Sequence, residues 1–392
     1  MSVKGIFKVI YAPQKAFKEL AQNPKYIGIF VLLLLVVLAN MAFIYIAISK
    51  EYVEETFPKI ADKDVWTENK TLWTSELPDV VISENFDDFI NGTVYGNRSI
   101  QFSAMNNSRM SMQLDNIGPV NCSEPNGFKS LFVRVKQTVP EANPENVTIY
   151  LFSASSSYFY CNFTQGFSGS TINQWNNLTI GLREGWSNSS LSANWGNITG
   201  LKMEFSWLTN SNVTLLVDGL FFRGIFKSLL ETSGAEYFTA YPIYVFTQFV
   251  FNWLLLGAFV YLMSRGLGGK VSWKTISILV GYTLVALLVQ ALINVAAYAA
   301  LPPLYYRLEL IGGVGGESNA AYNELMNAAY PIPDIVSYAQ IATRIWSVIL
   351  CIFAVRAGTE LSWGKSILVA AAGYMITILI VGILLGFVTL GF

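Results

Sequence analysis

Five long apolar stretches constrain this chain more than any other feature of its sequence. A helix needs about 20 residues to cross a bilayer core of about 30 Å. In lipid every interior backbone group must be paired, and a helix pairs these groups within itself. The sequence therefore predicts a five-helix transmembrane domain. The five predicted spans are 26–48, 241–263, 275–299, 335–355 and 367–392.

The charge composition excludes several classes of function. Lys and Arg number 25, Asp and Glu number 26, and there is no histidine. Without an excess of positive charge we expect no nucleic-acid partner, because such partners are bound through their phosphates. Catalysis or metal binding by imidazole is excluded outright. We also find no nucleophile elbow and no phosphate loop, and predict that the protein is not an enzyme.

The distribution of Lys and Arg predicts the orientation in the membrane. Basic residues cluster before the first span, between the second and third, and between the fourth and fifth, which is typical of cytoplasmic segments. We therefore expect a multi-pass plasma-membrane protein with a cytoplasmic N-terminus. The C-terminus and residues 49–224 would be extracellular. Residues 1–25 and 225–240 show helical apolar spacing and are predicted to be amphipathic helices at the membrane surface.

The segment between the first two predicted spans contains all the Asn-X-Ser/Thr sequons of the chain. N-glycosylation needs exposure to the external or luminal machinery, so the sequons and the loop charges support the same orientation. A Ser- and Asn-rich domain with chance sequons is the alternative. The sequon asparagines are Asn69, Asn91, Asn97, Asn106, Asn121, Asn146, Asn162, Asn177, Asn188, Asn197 and Asn212.

The same segment shows the alternation of apolar and polar residues that is typical of strands. Turn-forming Gly, Asn, Pro and Ser separate the alternating runs, which predicts an antiparallel β-sandwich inserted after the first span. The runs are 131–135, 147–151, 178–182, 201–205 and 215–220. The fold class is therefore α+β, a five-helix membrane domain with an extracytoplasmic sandwich.

Two cysteines lie in the predicted sandwich, Cys122 and Cys161. A pair of cysteines in an oxidising compartment predicts a disulfide bond. Two buried free thiols are the alternative.

The order of features in residues 78–224 resembles the galactose-binding-like jelly roll found in many carbohydrate-binding modules. The features are Glu84-Asn85-Phe86-Asp87-Asp88, Trp175 before a strand, Trp195-Gly196, and Leu216-Val217-Asp218 in the closing strand. The resemblance implies sugar binding by Trp66, Trp73, Trp186 or Trp207, with core tryptophans as the alternative. It also implies a structural calcium ion held by Glu84 or Asp87 together with Asp218, with ordinary surface carboxylates as the alternative. An external glycosidase that uses the carboxylates Glu84, Asp87, Asp88 and Asp218 is a further hypothesis.

The membrane segments resemble the Yip (Ypt-interacting protein) family of five-span proteins, in its prokaryotic form. The resemblance is carried by Pro13-Gln14-Lys15-Ala16-Phe17 with Asn23-Pro24, by Gly266–Trp273 running into Gly281-Tyr282, and by Ile345-Trp346-Ser347 with Leu361–Ser366. It covers residues 1–48 and about 225–392, and the large inserted domain departs from the family pattern. Together with the sequon density, the resemblance suggests an archaeal cell envelope.

Arg344 is the ionisable residue that falls inside a predicted span, and this makes it a candidate functional residue. It could contact Asn252, Gln290, Asn294 or a partner subunit, or its side chain could reach the membrane surface if the span is tilted.

From these features we predict a scaffold or accessory subunit whose sandwich binds a glycan, a cell-envelope component or a partner protein. A transporter or channel component is the alternative.

Overall fold

The computed structural model describes residues 2–154 and 157–389, and the chain forms two compact units. The helical unit contains the residues up to Glu51, Ser228–Leu304 and the residues from Asn327 onward. The β unit contains Tyr52–Lys227 and Tyr305–Met326. Met1 of the predicted N-terminal helices and residues 390–392 of the predicted fifth span lie outside the described residues.

The helices and strands are numbered here in chain order. The helices are α1 Ser2–Tyr11, α2 Pro13–Gln22, α3 Ile27–Lys50, α4 Thr164–Ser168, α5 Leu229–Gly266, α6 Trp273–Thr283, α7 Val285–Ala299, α8 Leu308–Gly312, α9 Glu317–Ala329, α10 Ile332–Thr359 and α11 Trp363–Thr389. The strands are β1 Glu51–Phe57, β2 Trp73–Thr74, β3 Val81–Asn85, β4 Ser99–Val120, β5 Ser130–Val139, β6 Asn146–Ala154, β7 Ser157–Asn162, β8 Asn176–Gly181, β9 Ser187–Asn188, β10 Ile198–Ser228 and β11 Leu304–Tyr306.

The helical unit confirms the predicted five-helix membrane domain. In the described residues α3, α5, α6 with α7, α10 and α11 are long and apolar enough to cross a bilayer. Their packing depends on close approach, since lipid supplies little hydrophobic drive between helices. At Gly28, a Cβ atom would collide with the Tyr282 hydroxyl, so glycine allows the Tyr282 side chain of α6 to pack directly against the backbone of α3. The buried residues Ile6 and Phe17 of α1 and α2 belong to the same core.

The structure corrects the prediction of a separate amphipathic helix over 225–240. Residues 225–228 are the end of β10, and α5 then runs unbroken from Leu229 through the predicted second span. Ser228 marks the change, because its Oγ accepts a hydrogen bond from the Glu231 amide at 3.3 Å and caps the helix. The apolar spacing over 225–238 therefore contains a strand end and the first turns of a long helix.

The β unit is an antiparallel sandwich whose two layers are joined by two long strands. The first half of β10 pairs with the second half of β4 and with β6, while the second half of β10 pairs with the first half of β4 and with β5. The register of β10 shifts between Ser206 and Ser211, where both strands pass from one layer to the other. Layer A is β9-β7-β6-β10-β4-β2 and layer B is β8-β5-β10-β4-β3. The predicted alternating residues, among them Val133, Ile149 and Met203, fill the core between them.

The outer face of layer B is covered by the chain itself. Phe132 and Phe221 of this face form a second core with Ile90, Tyr95 and Leu308. The last of these residues belongs to the segment 305–326, which follows the third membrane span in the sequence. The connection between the third and fourth spans is thus part of the sandwich and not a free loop.

Arg223 of β10 links this returning segment to the sandwich. Its guanidinium donates to both carboxylate oxygens of Glu54 at 2.9 and 2.7 Å, and to Glu309 at 2.5 and 2.8 Å. Burial alone would raise the pKa of Glu309, but Arg223 holds it below the usual value. Glu54 also accepts the backbone amide of Leu308 at 2.8 Å. Three chain segments that are far apart in sequence therefore share one buried set of charge-assisted hydrogen bonds.

The predicted disulfide bond is absent, and Cys122 and Cys161 are free and buried. Cys122 follows β4, and Cys161 lies on β7, which pairs with β6 and β9. Both side chains belong to the apolar core, where a thiol packs as a small hydrophobic group. Burial raises the pKa of both thiols to about 12, so neither is a reactive thiolate.

We predict that Arg223→Met destabilises the β unit by about 3–5 kcal/mol, because it leaves Glu54 as a buried and unpaired charge. The control is Lys227→Met, which removes an ion pair to Glu55 between side chains that are 47% and 39% exposed. An exposed pair contributes about 1 kcal/mol or less. Denaturant unfolding of the full chain in detergent, followed by tryptophan fluorescence, measures both effects. Equal losses in the two variants would contradict the assignment.

We also predict that the denatured chain presents three reactive thiols without added reductant, and that the native chain presents none. The reason is that Cys122, Cys161 and Cys351 are all free and buried. Titration with a thiol reagent and intact-mass measurement give the count. One thiol per denatured chain would instead show that Cys122 and Cys161 are joined.

Candidate functional site

The outer face of layer A carries a row of side chains across five strands, in which Tyr160 is 40% exposed and Lys202 is 9% exposed. Tyr160 of β7 pairs with Tyr150 of β6, which pairs with Lys202 of β10; Lys202 pairs with Gln113 of β4, and Gln113 with Thr74 of β2. Side chains alternate between the two faces of a strand, so these residues point away from the core that their neighbours fill. We call the surface formed by Tyr150, Phe152, Tyr158, Tyr160, Lys202 and Glu204 the tyrosine face.

Aromatic rings occupy the β6–β7 half of the tyrosine face. The Tyr150 ring lies 5.7 Å from Tyr158 and 6.2 Å from Tyr160, and Tyr158 lies 5.8 Å from Phe152. Tyr160 is 40% exposed, and the other rings are half-buried. Neighbouring rings hold one another in place, so the surface offers several apolar planes with little side-chain freedom left to lose.

Charged groups occupy the β10 half of the same surface. The Lys202 ammonium lies 4.5 Å from the Tyr150 ring centroid and forms ion pairs of 3.1 Å with Glu76 and Glu204. The Tyr150 hydroxyl donates to Glu204 at 3.0 Å. Burial and this hydrogen bond raise the pKa of Tyr150 to about 12, so the phenol stays protonated. The site therefore combines aromatic planes with fixed donors and acceptors, which suits recognition of a polar ligand.

The sequence interpretation missed the tyrosine face. It assigned the run 147–151 to the core from Val147, Ile149 and Leu151 and did not follow the residues between them. The sequence did contain an indication of this surface. Outward positions of a half-exposed strand are ordinarily polar, but in this strand they include the aromatic residues Tyr150 and Phe152. What the sequence did not show is that β6, β7 and β10 are neighbours.

The structure corrects the tryptophan prediction for three of the four residues. Trp66, Trp73 and Trp207 are 7%, 3% and 7% exposed and belong to the sandwich core, so they offer no ring face to a ligand. The half-buried Trp186 packs edge-on against Trp195 with centroids 5.6 Å apart. Its indole nitrogen donates to the Gly181 carbonyl at 2.8 Å.

The structure also separates the predicted calcium ligands. Glu84 forms an ion pair of 3.0 Å with Arg98, and the exposed Asp87 lies in the turn after β3. Asp218 is buried and accepts the backbone amides of Ile90 and Gly219, each at 2.7 Å. Within the described residues no group of three or more acidic or cysteine side chains could hold a metal ion.

Asp218 forms a buried pair with Asp64. The Thr67 hydroxyl lies 3.2 Å from one oxygen of each carboxyl group. Burial raises the pKa of both groups, and the charge of Asp64 raises the pKa of Asp218 further. Since two adjacent buried carboxylates cannot readily both ionise, the pair retains a proton and joins the segments around Asp64 and Ile90 to β10.

Arg344 lies near the middle of α10 and lines a polar cavity of the helical unit. Asn252, Gln290 and Asn294, which the sequence proposes as its neighbours, line the same cavity.

We predict that the β unit loses stability as pH rises above the ordinary aspartate value of 3.8, because the folded pair keeps a proton that the unfolded chain has released. One such proton corresponds to about 1.4 kcal/mol per pH unit. Asp64→Asn should weaken this pH dependence, because the amide can donate to Asp218 without titrating. Denaturant unfolding of the full chain at several pH values measures how the free energy of unfolding changes with pH. The control is Asp79→Asn, which changes an exposed aspartate. An identical change of the free energy of unfolding with pH in the two variants would contradict the prediction.

Comparison with known proteins gives one family match. Residues 203–386, from within β10 to within α11, match the Yip1 domain. No curated protein matches the chain.

Similar solved structures include carbohydrate-binding modules. A family 11 module from Clostridium thermocellum, in complex with a β-1,3-1,4-mixed-linked tetrasaccharide, is 10% identical, with 43% of this chain and 94% of that chain covered and a TM-score of 0.29. A family 30 module of a cellulosomal cellulase from the same organism is 9% identical, with 40% and 90% covered and a TM-score of 0.30. A module from the β-sandwich superfamily is 11% identical, with 38% of this chain and only 56% of that chain covered and a TM-score of 0.28. The predicted resemblance to the Yip family is thus confirmed, and the chain is a membrane protein in which residues 203–386 match the Yip1 domain and a β-sandwich precedes most of its membrane helices.

Proposed function

We propose that this protein is a non-enzymatic membrane scaffold whose extracellular sandwich binds a glycan on the tyrosine face. The observation that carries the proposal is the arrangement of Tyr150, Tyr158 and Tyr160 beside Lys202 and Glu204 on the outer face of layer A. The C–H faces of a pyranose ring pack on aromatic planes, and its hydroxyl groups bond to charged and amide side chains. The rest of the sandwich surface is less suited, because chain segments cover the corresponding face of layer B.

The fold supports an extracellular position for this face. The segment after the first span and the segment after the third span build one β unit, so both lie on the same side of a bilayer. In a chain with five spans, the segments after the first and third spans must also lie on the same side of the bilayer. The basic residues flanking the spans favour the extracellular side.

The sequons agree with this placement. All eleven sequon asparagines are exposed on the β unit, where a glycosylation enzyme could reach them. Glycosylation of these asparagines is part of the proposal. The chain would then display a glycan-coated module, with glycans on Asn146 and Asn162 beside the tyrosine face, because these residues lie on the same side of β6 and β7 as Tyr150 and Tyr160.

We predict that the full chain in detergent binds at least one member of an oligosaccharide panel and that Tyr150→Ala weakens this binding at least tenfold. Aromatic stacking contributes about 0.5–1.5 kcal/mol beyond the buried area, and the truncation also releases Lys202 and Glu204 from the ring. Isothermal titration calorimetry measures the affinities. The control is Tyr322→Ala, which truncates a tyrosine that is 53% exposed elsewhere on the β unit.

Equal binding by the Tyr150 and Tyr322 variants would exclude the tyrosine face. Absence of binding to every oligosaccharide, together with capture of a cell-envelope protein that depends on Tyr150, would replace the glycan by a protein partner.

A further inference from the structure

The helical unit contains a polar cavity of about 510 Å³ among the membrane helices. Its lining comes from α3, α5, α7, α10 and α11 and includes Asn40, Asn252, Gln290, Asn294, Ser347 and Arg344. The volume lies within the range of small-molecule sites. Some of these polar groups join helices, as the Thr343–Gln290 hydrogen bond joins α10 to α7, and Arg344 is left without such a partner among the described residues.

Arg344 is the one charged residue that lines this cavity. It follows Ile332, the start of α10, by twelve residues, which is about 18 Å along the helix axis. Across the described residues, no ion pair and no hydrogen bond is formed by its guanidinium, and no acidic side chain lines the cavity. Arg344 is exposed to the space around the helices, and a cation within a membrane-spanning helix costs several kcal/mol unless an anion, water or dipoles compensate its charge.

The neutral polar groups of the cavity are partly fixed in a chain of hydrogen bonds. The Thr343 hydroxyl donates to the Gln290 carbonyl oxygen at 2.6 Å, and the Gln290 amide donates to the Asn294 carbonyl oxygen at 2.7 Å. Because the side-chain carbonyl of Asn294 accepts this hydrogen bond, its amide N–H groups remain as donors for a ligand. The cavity thus combines one cation with neutral donors and lacks a negative group of its own.

We propose that this cavity binds a phosphate group, with the Arg344 guanidinium as the charged partner and the Asn294 amide N–H groups as further donors. The planar guanidinium matches phosphate oxygens through paired N–H donors, and charge-assisted hydrogen bonds of this kind strengthen in a low dielectric. The phosphate group could belong to a lipid headgroup or to free inorganic phosphate. This site is independent of the tyrosine face, because all its residues belong to the helical unit.

The test measures both sources on the purified full chain. Native mass spectrometry compares retention of phosphatidylglycerol, whose phosphate carries a net negative charge, with that of zwitterionic phosphatidylcholine. Equilibrium dialysis with radiolabelled inorganic phosphate measures the free anion. We expect one saturable site for one of the two anionic probes, and at least tenfold weaker binding in Arg344→Gln. Arg344→Lys should retain part of the affinity, because it keeps the charge and loses the paired donors.

The matched control is Arg265→Gln, which removes an exposed positive charge at the end of α5, outside the cavity. It should change the affinity less than twofold. Two results would overturn the proposal, namely equal affinity in the Arg344 and Arg265 variants, or wild-type protein that shows no saturable site for either anionic probe. The wild-type measurement decides this even if Arg344→Gln does not fold.

Discussion

The bonds of Arg223 to Glu54 and Glu309 join three segments of the β unit that are far apart in the sequence. Glu54 lies just after the first membrane helix, Arg223 just before the second, and Glu309 after the third. Without this interaction the segment 305–326 would lose one of its two charged anchors, the other being the ion pair of Glu317 with Arg134. A buried ion pair is weak support for stability as such, because desolvation offsets much of its attraction. Its value here is specificity, since the bidentate geometry admits one arrangement of the three segments.

The membrane helices and the sandwich core could be predicted from the sequence because each depends on a local pattern. Hydropathy located the spans, and period-two alternation located strands such as 131–135 and 201–205, whose apolar residues are indeed in the core. The boundaries of the elements were harder to predict. At Ser228, for example, β10 ends and α5 follows within one continuous apolar pattern. The membership of 305–326 in the sandwich was not predictable, since it depends on Glu309 meeting a residue 86 positions away.

For the candidate sites too, the sequence shows which residue types are present but not how they are arranged in space. Tryptophans suggested a sugar site because they are large and amphipathic, yet the same size places Trp66 and Trp73 in the core of a sandwich this small. Cys122 and Cys161 suggested a bridge because of their number and compartment, but a disulfide also needs a specific geometry that spacing cannot give. The tyrosine face required knowledge of strand order, which sets Tyr160, Tyr150 and Lys202 side by side.

The two units differ in how the charges of their arginines are compensated. In the β unit the buried Arg134 meets Glu317 and Tyr95, and the buried Arg223 meets two carboxylates, so each charge is already compensated within the fold. In the helical unit Arg344 borders a cavity lined by donors and has no carboxylate beside it. Folding alone explains the first two arginines. It does not explain the third, because replacing Arg344 by an apolar residue would remove a desolvation cost without breaking an ion pair among the described residues. The position of Arg344 therefore supports the proposed phosphate site, in which the compensating charge comes from outside the chain.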